Sequence, residues 1–262
     1  MIFGYKNHGA LGDCLYITAA LNVLPGSTVQ MHNDDQCRFV ARVFDGLASV
    51  EFIDNPNLPI YCNGDKNTHA AQRTLDILNI KNTNCIPKIK LTQEEISWGN
   101  SFISLYKNPV CVVNDNGGSG DINNTCAQYK RPPIPLMQFV VDYLNSIGHT
   151  VLQFGRNDHP NFQNCFTPLN NTIPIRGLSV RELASCYHSI GKYVGGDTGD
   201  YHLMLSVGGK CIVFVPPNNK NLGFSYNELF YKDYLWKDEA VRVKYIDYTV
   251  KSNITELLRF SF

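Results

Sequence analysis

The chain reads as an α/β protein made of two Rossmann-like halves that face each other across a cleft. Short apolar runs alternate with amphipathic segments, the rhythm of βα units on a parallel sheet. The pattern restarts near residue 107, and each half opens with a strand followed by a glycine-containing loop. Since 262 residues suffice for two modest domains with real cores, the restart divides the chain into an N-terminal domain, 1–107, and a C-terminal domain, 108–262.

In the first half, residues 2–5 read as a strand, and from Asp13 the apolar residues Leu15, Ala19, Leu21 and Val23 recur at helical spacing. Residues 28–31 form a second strand. Asp34 or Asp35 caps a helix whose apolar stripe is Phe39, Val40, Val43, Phe44 and Leu47. Strands near 50–53 and 59–61 and a helix over 68–78 follow. Thr92 with Glu95 is a capping box for a helix that carries Ile96, Phe102, Ile103 and Leu105.

The second half begins with a buried-type strand at 110–113 and an Asn/Gly/Ser-rich loop that ends in YKRPP. A helix over 134–147, strands at 150–154 and 173–175, and a helix over 180–189 come next. A strand ends at Val194 and a helix begins near Thr198. Strands at 211–215 and 241–246 precede a terminal helix that opens with Asn253 and Glu256 in capping spacing.

Composition narrows the function classes. At 44% hydrophobic and 18% charged, the chain is neither disordered nor collagenous nor a coiled coil. Lys+Arg 23 balances Asp+Glu 23, so no nucleic-acid partner is expected and any anion is handled locally. No run of 18 apolar residues and no signal-peptide pattern is present, which predicts a cytoplasmic protein without a transmembrane segment and leaves peripheral membrane contact open. Nine cysteines without a CxxC pair read as reduced, buried residues rather than as a disulfide framework or metal site.

Three segments carry chemistry. The first, GALGDCLYITAAL, places Gly9, Gly12 and Asp13 between the first strand and the first helix, where the turn of an open α/β sheet faces the cleft. It lacks the third glycine of a dinucleotide fingerprint and the Lys-Ser/Thr of a P-loop. Asp13 is there either a helix cap or a general base. The second, GGDTGDYHLMLSVGGKCIVFVPP, turns the chain at Asp197, Thr198 and Gly199 and brings His202 into the first turn of a helix. Free amides at that helix start can cradle a phosphate without a metal, or the turn is an ordinary strand-to-helix connection capped by Asp197 or Thr198. The third is the loop before Pro132, where Lys130 and Arg131 are either a solvated pair or the neutralisers of a diphosphate.

Together these segments resemble the metal-independent GT-B glycosyltransferases of the heptosyltransferase type, glycosyltransferase family nine, which transfer heptose from ADP-heptose to lipopolysaccharide core. GALGDCLYITAALNVL is similar to that family's first strand-loop-helix. VCVVNDNGG with YKRPP and the following LMQFVVDYLNSIGHTVLQFGRNDHP resembles the opening of its nucleotide-binding domain, and GGDTGDYH resembles its Asp-Ser/Thr-Gly-x-x-His signature. The resemblance implies that Asp13 is the base that activates the acceptor hydroxyl, that Lys130 neutralises the donor diphosphate, and that Asp197, Thr198, Gly199 and His202 hold the departing phosphate. Asp158 falls where the family has a glutamate near the nucleotide ribose, and Gly9 and Gly12 belong to the acceptor-side cleft loop. It further implies inverting transfer from a nucleotide-sugar substrate to a glycan or glycolipid acceptor, with no metal or other cofactor.

The first half is shorter than the family's usual acceptor domain, Arg131-Pro132 stands where a tryptophan is common, and Met204, Leu205 and Ser206 replace alanines of the signature helix. Two other readings use the same features. A GT-B sugar-nucleotide epimerase shares the phosphate cradle but needs no acceptor, and a non-catalytic glycan- or nucleotide-binding module would bind without turnover.

Overall fold

The structure, a computed structural model, describes residues 2–4, 11–54, 79, 87–114, 131–155, 166–215, 243–247, 254–255 and 258. Among these, nine strands form two sheets, parallel throughout. The smaller has the order β1-β2-β3, from β1 (Ile2–Gly4), β2 (Ser27–His32) and β3 (Ala48–Ile53). The larger contains β4 (Pro109–Val113), β5 (Thr150–Phe154), β6 (Ile173–Ile175), β7 (Lys192–Gly196), β8 (Lys210–Val215) and β9 (Val243–Asp247). Its order is β6-β5-β4-β7-β8-β9, so the winding reverses between β4 and β7. In such sheets ligands bind outside the carboxyl ends of the strands at the reversal. The strand expected at 59–61, the helix at 68–78 and the cap at Asn253 lie outside the described residues.

Among the described residues, six α-helices connect the strands: α1 (Leu11–Leu21), α2 (Asp35–Ala41), α3 (Gln93–Ile103), α4 (Ile134–Ser146), α5 (Val180–Ile190) and α6 (Gly199–Ser206). α1 starts two residues before Asp13, which removes the helix-cap alternative for Asp13 and places it within the first turn. Asp34 caps α2 by accepting from the Cys37 amide at 2.7 Å, and a 3₁₀ turn at Arg42–Phe44 carries Val43 and Phe44 into the core. The Thr92–Glu95 capping box is present, with the Glu95 amide donating to Thr92 Oγ1 at 3.2 Å and the Thr92 amide to Glu95 Oε2 at 2.8 Å. β7 runs two residues beyond Val194, because Gly195 and Gly196 keep pairing with β8.

Both faces of the large sheet are covered, as a parallel sheet requires. Val110 and Val112 pack with Met137, Val140, Val141 and Leu144 of α4, whereas Cys111 and Val113 join the opposite core with Ala184 and Tyr187 of α5. That second core continues into α1 and α2 of the first half. Cys14, Cys37, Cys111, Cys186 and Cys211 are buried thiols outside any disulfide, and burial pushes Cys186 up to about 12. No helix among the described residues is long and apolar enough to cross a membrane.

α3 precedes residue 107 yet packs on α5. A Cβ at Gly99 would stand 2.5 Å from the Ser185 carbonyl oxygen, so only glycine permits this approach. Ser189 Oγ donates to Asn100 Oδ1 at 2.8 Å across the same seam. Arg181, 5% exposed, forks onto Glu95: Nε donates to Oε1 at 2.7 Å and Nη2 to Oε2, while Nη2 also donates to the Lys90 carbonyl. The Arg181 guanidinium holds the Glu95 carboxyl below its usual value. A depressed carboxyl contributes stability above its unfolded pKa, and that contribution is lost as pH falls through the folded value. Wild type should therefore lose stability below pH ~4.3, the unfolded glutamate range. Glu95→Gln should cost about 3 kcal/mol at neutral pH, by stranding a buried guanidinium, and flatten the acid limb. Urea melts at pH 7 and pH 3.5 check both; parallel losses in the two proteins would refute the pairing.

Candidate active site

The first turns of α1 and α6 meet, and two glycines make this possible. A Cβ at Gly199 would lie 2.8 Å from Leu11 Cβ and 3.2 Å from the Gly12 nitrogen; one at Gly12 would lie 3.1 Å from His202 Cδ2. Each helix start carries unsatisfied amides and about half a positive charge. Two such ends of like sign, brought together from different sheets, are complementary to an anion.

His202, the fourth residue of α6, is 6% exposed and faces α1 instead of solvent. Its Nε2 lies 3.2 Å from the Tyr16 hydroxyl, one helical turn after Asp13, and its ring packs edge-on to Tyr16 and against Tyr201. The surface position usual for a histidine in a first turn is thus not adopted, because the α1 contact buries it.

The turn that precedes α6 is held from within the large sheet. Asp197 and Thr198 are 5% and 4% exposed, and Thr198 Oγ1 caps α6 by accepting from the Asp200 amide at 3.3 Å. Tyr193 OH donates to the Gly196 carbonyl at 3.0 Å and sits 3.3 Å from Thr198 Oγ1. Asp200 points to the opposite side of α6 from His202, where Tyr187 OH donates to Oδ1 at 2.8 Å and Thr198 Oγ1 to Oδ2 at 3.3 Å. Burial first, and then the Asp200 charge, push the Tyr187 and Tyr193 hydroxyls well up, so both remain neutral donors. The Asp200 charge is accordingly directed into the second half, away from the α1 contact.

Asn114 follows β4, one residue past the pairing of Val113 with Gly195 on β7, and thus at the reversal of strand order. It is 1% exposed, and among the described residues neither Oδ1 nor Nδ2 has a hydrogen-bond partner. Leaving such a group unpaired costs about 1–3 kcal/mol.

The structure thus brings together Gly12, Gly199 and His202, with Asp197 and Thr198 in the adjoining turn. Asp13 lies in α1 beside Gly12, and its side chain is outside the description. Gly9, Lys130 and Asp158 lie outside the described residues. Tyr16 and Asn114 were not singled out by sequence. Tyr16 follows Asp13 by three positions and so shares its helix face, the one signal available; Asn114 reads as the first residue of a polar loop.

No family profile matches the chain, and no curated protein matches it by sequence. Solved structures do match. A glycosyl transferase family 9 protein from Veillonella parvula superposes with a TM-score of 0.65 at 15% identity, over 98% of this chain and 88% of the other. The ADP-heptose lipopolysaccharide heptosyltransferase II of E. coli gives 0.60 at 10% identity, over 99% and 98%. E. coli heptosyltransferase WaaC with ADP-2-deoxy-2-fluoro heptose gives 0.55 at 10%, over 100% and 99%. The chain has the two-unit α/β fold of these GT-B glycosyltransferases, the group its sequence motifs resemble.

Proposed function

We propose that the protein is a glycosyltransferase of the heptosyltransferase type, which moves a sugar from a nucleotide-diphosphate donor, ADP-heptose or a close analogue, to a glycan or glycolipid acceptor. The observation that carries this reading is the meeting of the α1 and α6 N-termini across Gly12, Gly199 and His202. It sets an anion cradle from the nucleotide-binding half against the helix that bears Asp13.

In the proposed reaction Asp13 accepts the proton of the acceptor hydroxyl, whose oxygen attacks the anomeric carbon. The bond from that carbon to the diphosphate oxygen breaks as the new one forms on the opposite face, so configuration inverts. Charge that builds on the nucleoside diphosphate is received by the α6 amides around Thr198 and Gly199, by His202 and by Lys130, while Asp158 holds the ribose. One preorganised donor of this kind contributes about 2.7–4 kcal/mol to barrier lowering. The cradle offers the positive charge that a metal ion supplies in other transferases, which supports a metal-independent reaction. Cytoplasmic location and a membrane-presented acceptor belong to the same proposal.

Thermal melts with ADP, UDP, GDP and CMP sugars test the donor. The cognate sugar nucleotide at about 100 times its Kd should add about 2.7 kcal/mol of stability. Product formation only with an added acceptor separates transfer from epimerisation, which needs none. A protein that no nucleotide sugar stabilises would overturn the proposal.

A further inference from the structure

We propose that Asn114 reads the donor: its carboxamide binds a hydroxyl-bearing part of the nucleotide sugar beside the diphosphate. This deepens the function proposed above and rests on it. Buried polar groups in folded proteins are almost always hydrogen-bonded, and Asn114, 1% exposed, finds no partner among the described residues for either its Oδ1 or its Nδ2.

The neighbouring strand shows how this fold treats a carboxamide that serves structure alone. Gln153 on β5 is fully buried, and both ends are satisfied: Nε2 donates to the Thr167 carbonyl at 2.8 Å, and Oε1 accepts from the Leu169 amide at 2.9 Å and from Thr172 Oγ1 at 3.1 Å. Asn114 differs in place. It stands at the carboxyl end of β4, at the reversal where a ligand enters, and next to the strand that leads into Asp197 and Thr198. Orphaned polar atoms at such a point are the kind of local cost that functional sites carry.

The chemistry of the side chain narrows what it binds. A carboxamide offers two N–H donors and an accepting oxygen. Diphosphate oxygens only accept, so they would satisfy Nδ2 and leave Oδ1 unpaired. A hydroxyl both donates and accepts, and hydroxyls flank a diphosphate on two sides, on the ribose and on the transferred sugar.

Asn114→Leu keeps the volume and removes the polar atoms; Asn114→Ala, which only truncates, serves as the second variant should leucine not fit. Binding of ADP, ADP-heptose and inorganic pyrophosphate to the full chain is measured by calorimetry, alongside the ligand-free melting temperature. ADP-heptose binding should weaken about tenfold or more, with pyrophosphate binding unchanged and the ligand-free melting temperature equal to or above wild type. Equal weakening of ADP assigns the contact to the ribose; weakening of ADP-heptose alone assigns it to the transferred sugar; either supports the inference. Undiminished binding of both nucleotides to either folded variant, or a ligand-free melting temperature lowered in both variants, overturns it. A wild-type chain that binds no nucleotide in the panel overturns the proposed function instead.

Discussion

Asp13→Asn is expected to lower sugar transfer by about 10²- to 10⁴-fold, the usual contribution of a positioned general base, while donor affinity stays at the wild-type level. The two effects separate because the proposed base acts on the acceptor, whereas the proposed donor contacts are the turn at 197–199, His202 and Lys130. Asparagine preserves size and removes the basic oxygen. Asp13 lies in the first turn of α1, where a carboxylate also favours the helix dipole by about 0.3–1 kcal/mol, so a small loss of stability accompanies the substitution. Single-turnover assays beside equilibrium donor titration read the result. Equal loss of transfer and of donor binding would remove Asp13 from the role of base.

Gly199→Ala should have the next largest effect, and it acts through geometry alone. The added methyl would meet Leu11 Cβ at 2.8 Å and the Gly12 nitrogen at 3.2 Å, so α1 and α6 must separate. Overpacking of this kind costs about 1–3 kcal/mol of stability. Separation would also pull the two helix starts off the proposed anion site, so donor affinity should fall along with stability. Leu11→Gly, made on top of Gly199→Ala, removes the carbon nearest the new methyl and should restore part of the donor affinity. Chemical denaturation and donor titration of the single and double variants measure the coupling between the two positions. A Gly199→Ala protein with wild-type stability and donor affinity would mean that the helices do not meet as described.

Much of the secondary structure was legible because its causes are local. The Thr92–Glu95 box, the Asp34 cap and the strand at 150–154 depend on side chains and amides a few positions apart, and those spacings are written directly in the chain. The same locality explains why the cap alternative for Asp13 stayed open: an aspartate in a first turn looks much like one at the N-cap. The motif GGDTGDYH likewise announces a strand, a turn and a helix, and Thr198 caps where an N-cap residue is expected.

Sequence alone, then, determined the alternation of strands and helices, the two-halved α/β plan and the candidate residues of the signature turn, since periodicity and capping act within one or two helical turns. Tertiary structure decided that His202 is buried on Tyr16, 186 positions away, that Arg181 pairs with Glu95, and that Asn114 is buried with no hydrogen-bond partner among the described residues. Those outcomes follow from how distant helices pack and how the sheet winds, and close packing between elements far apart in the chain leaves no mark in residue spacing.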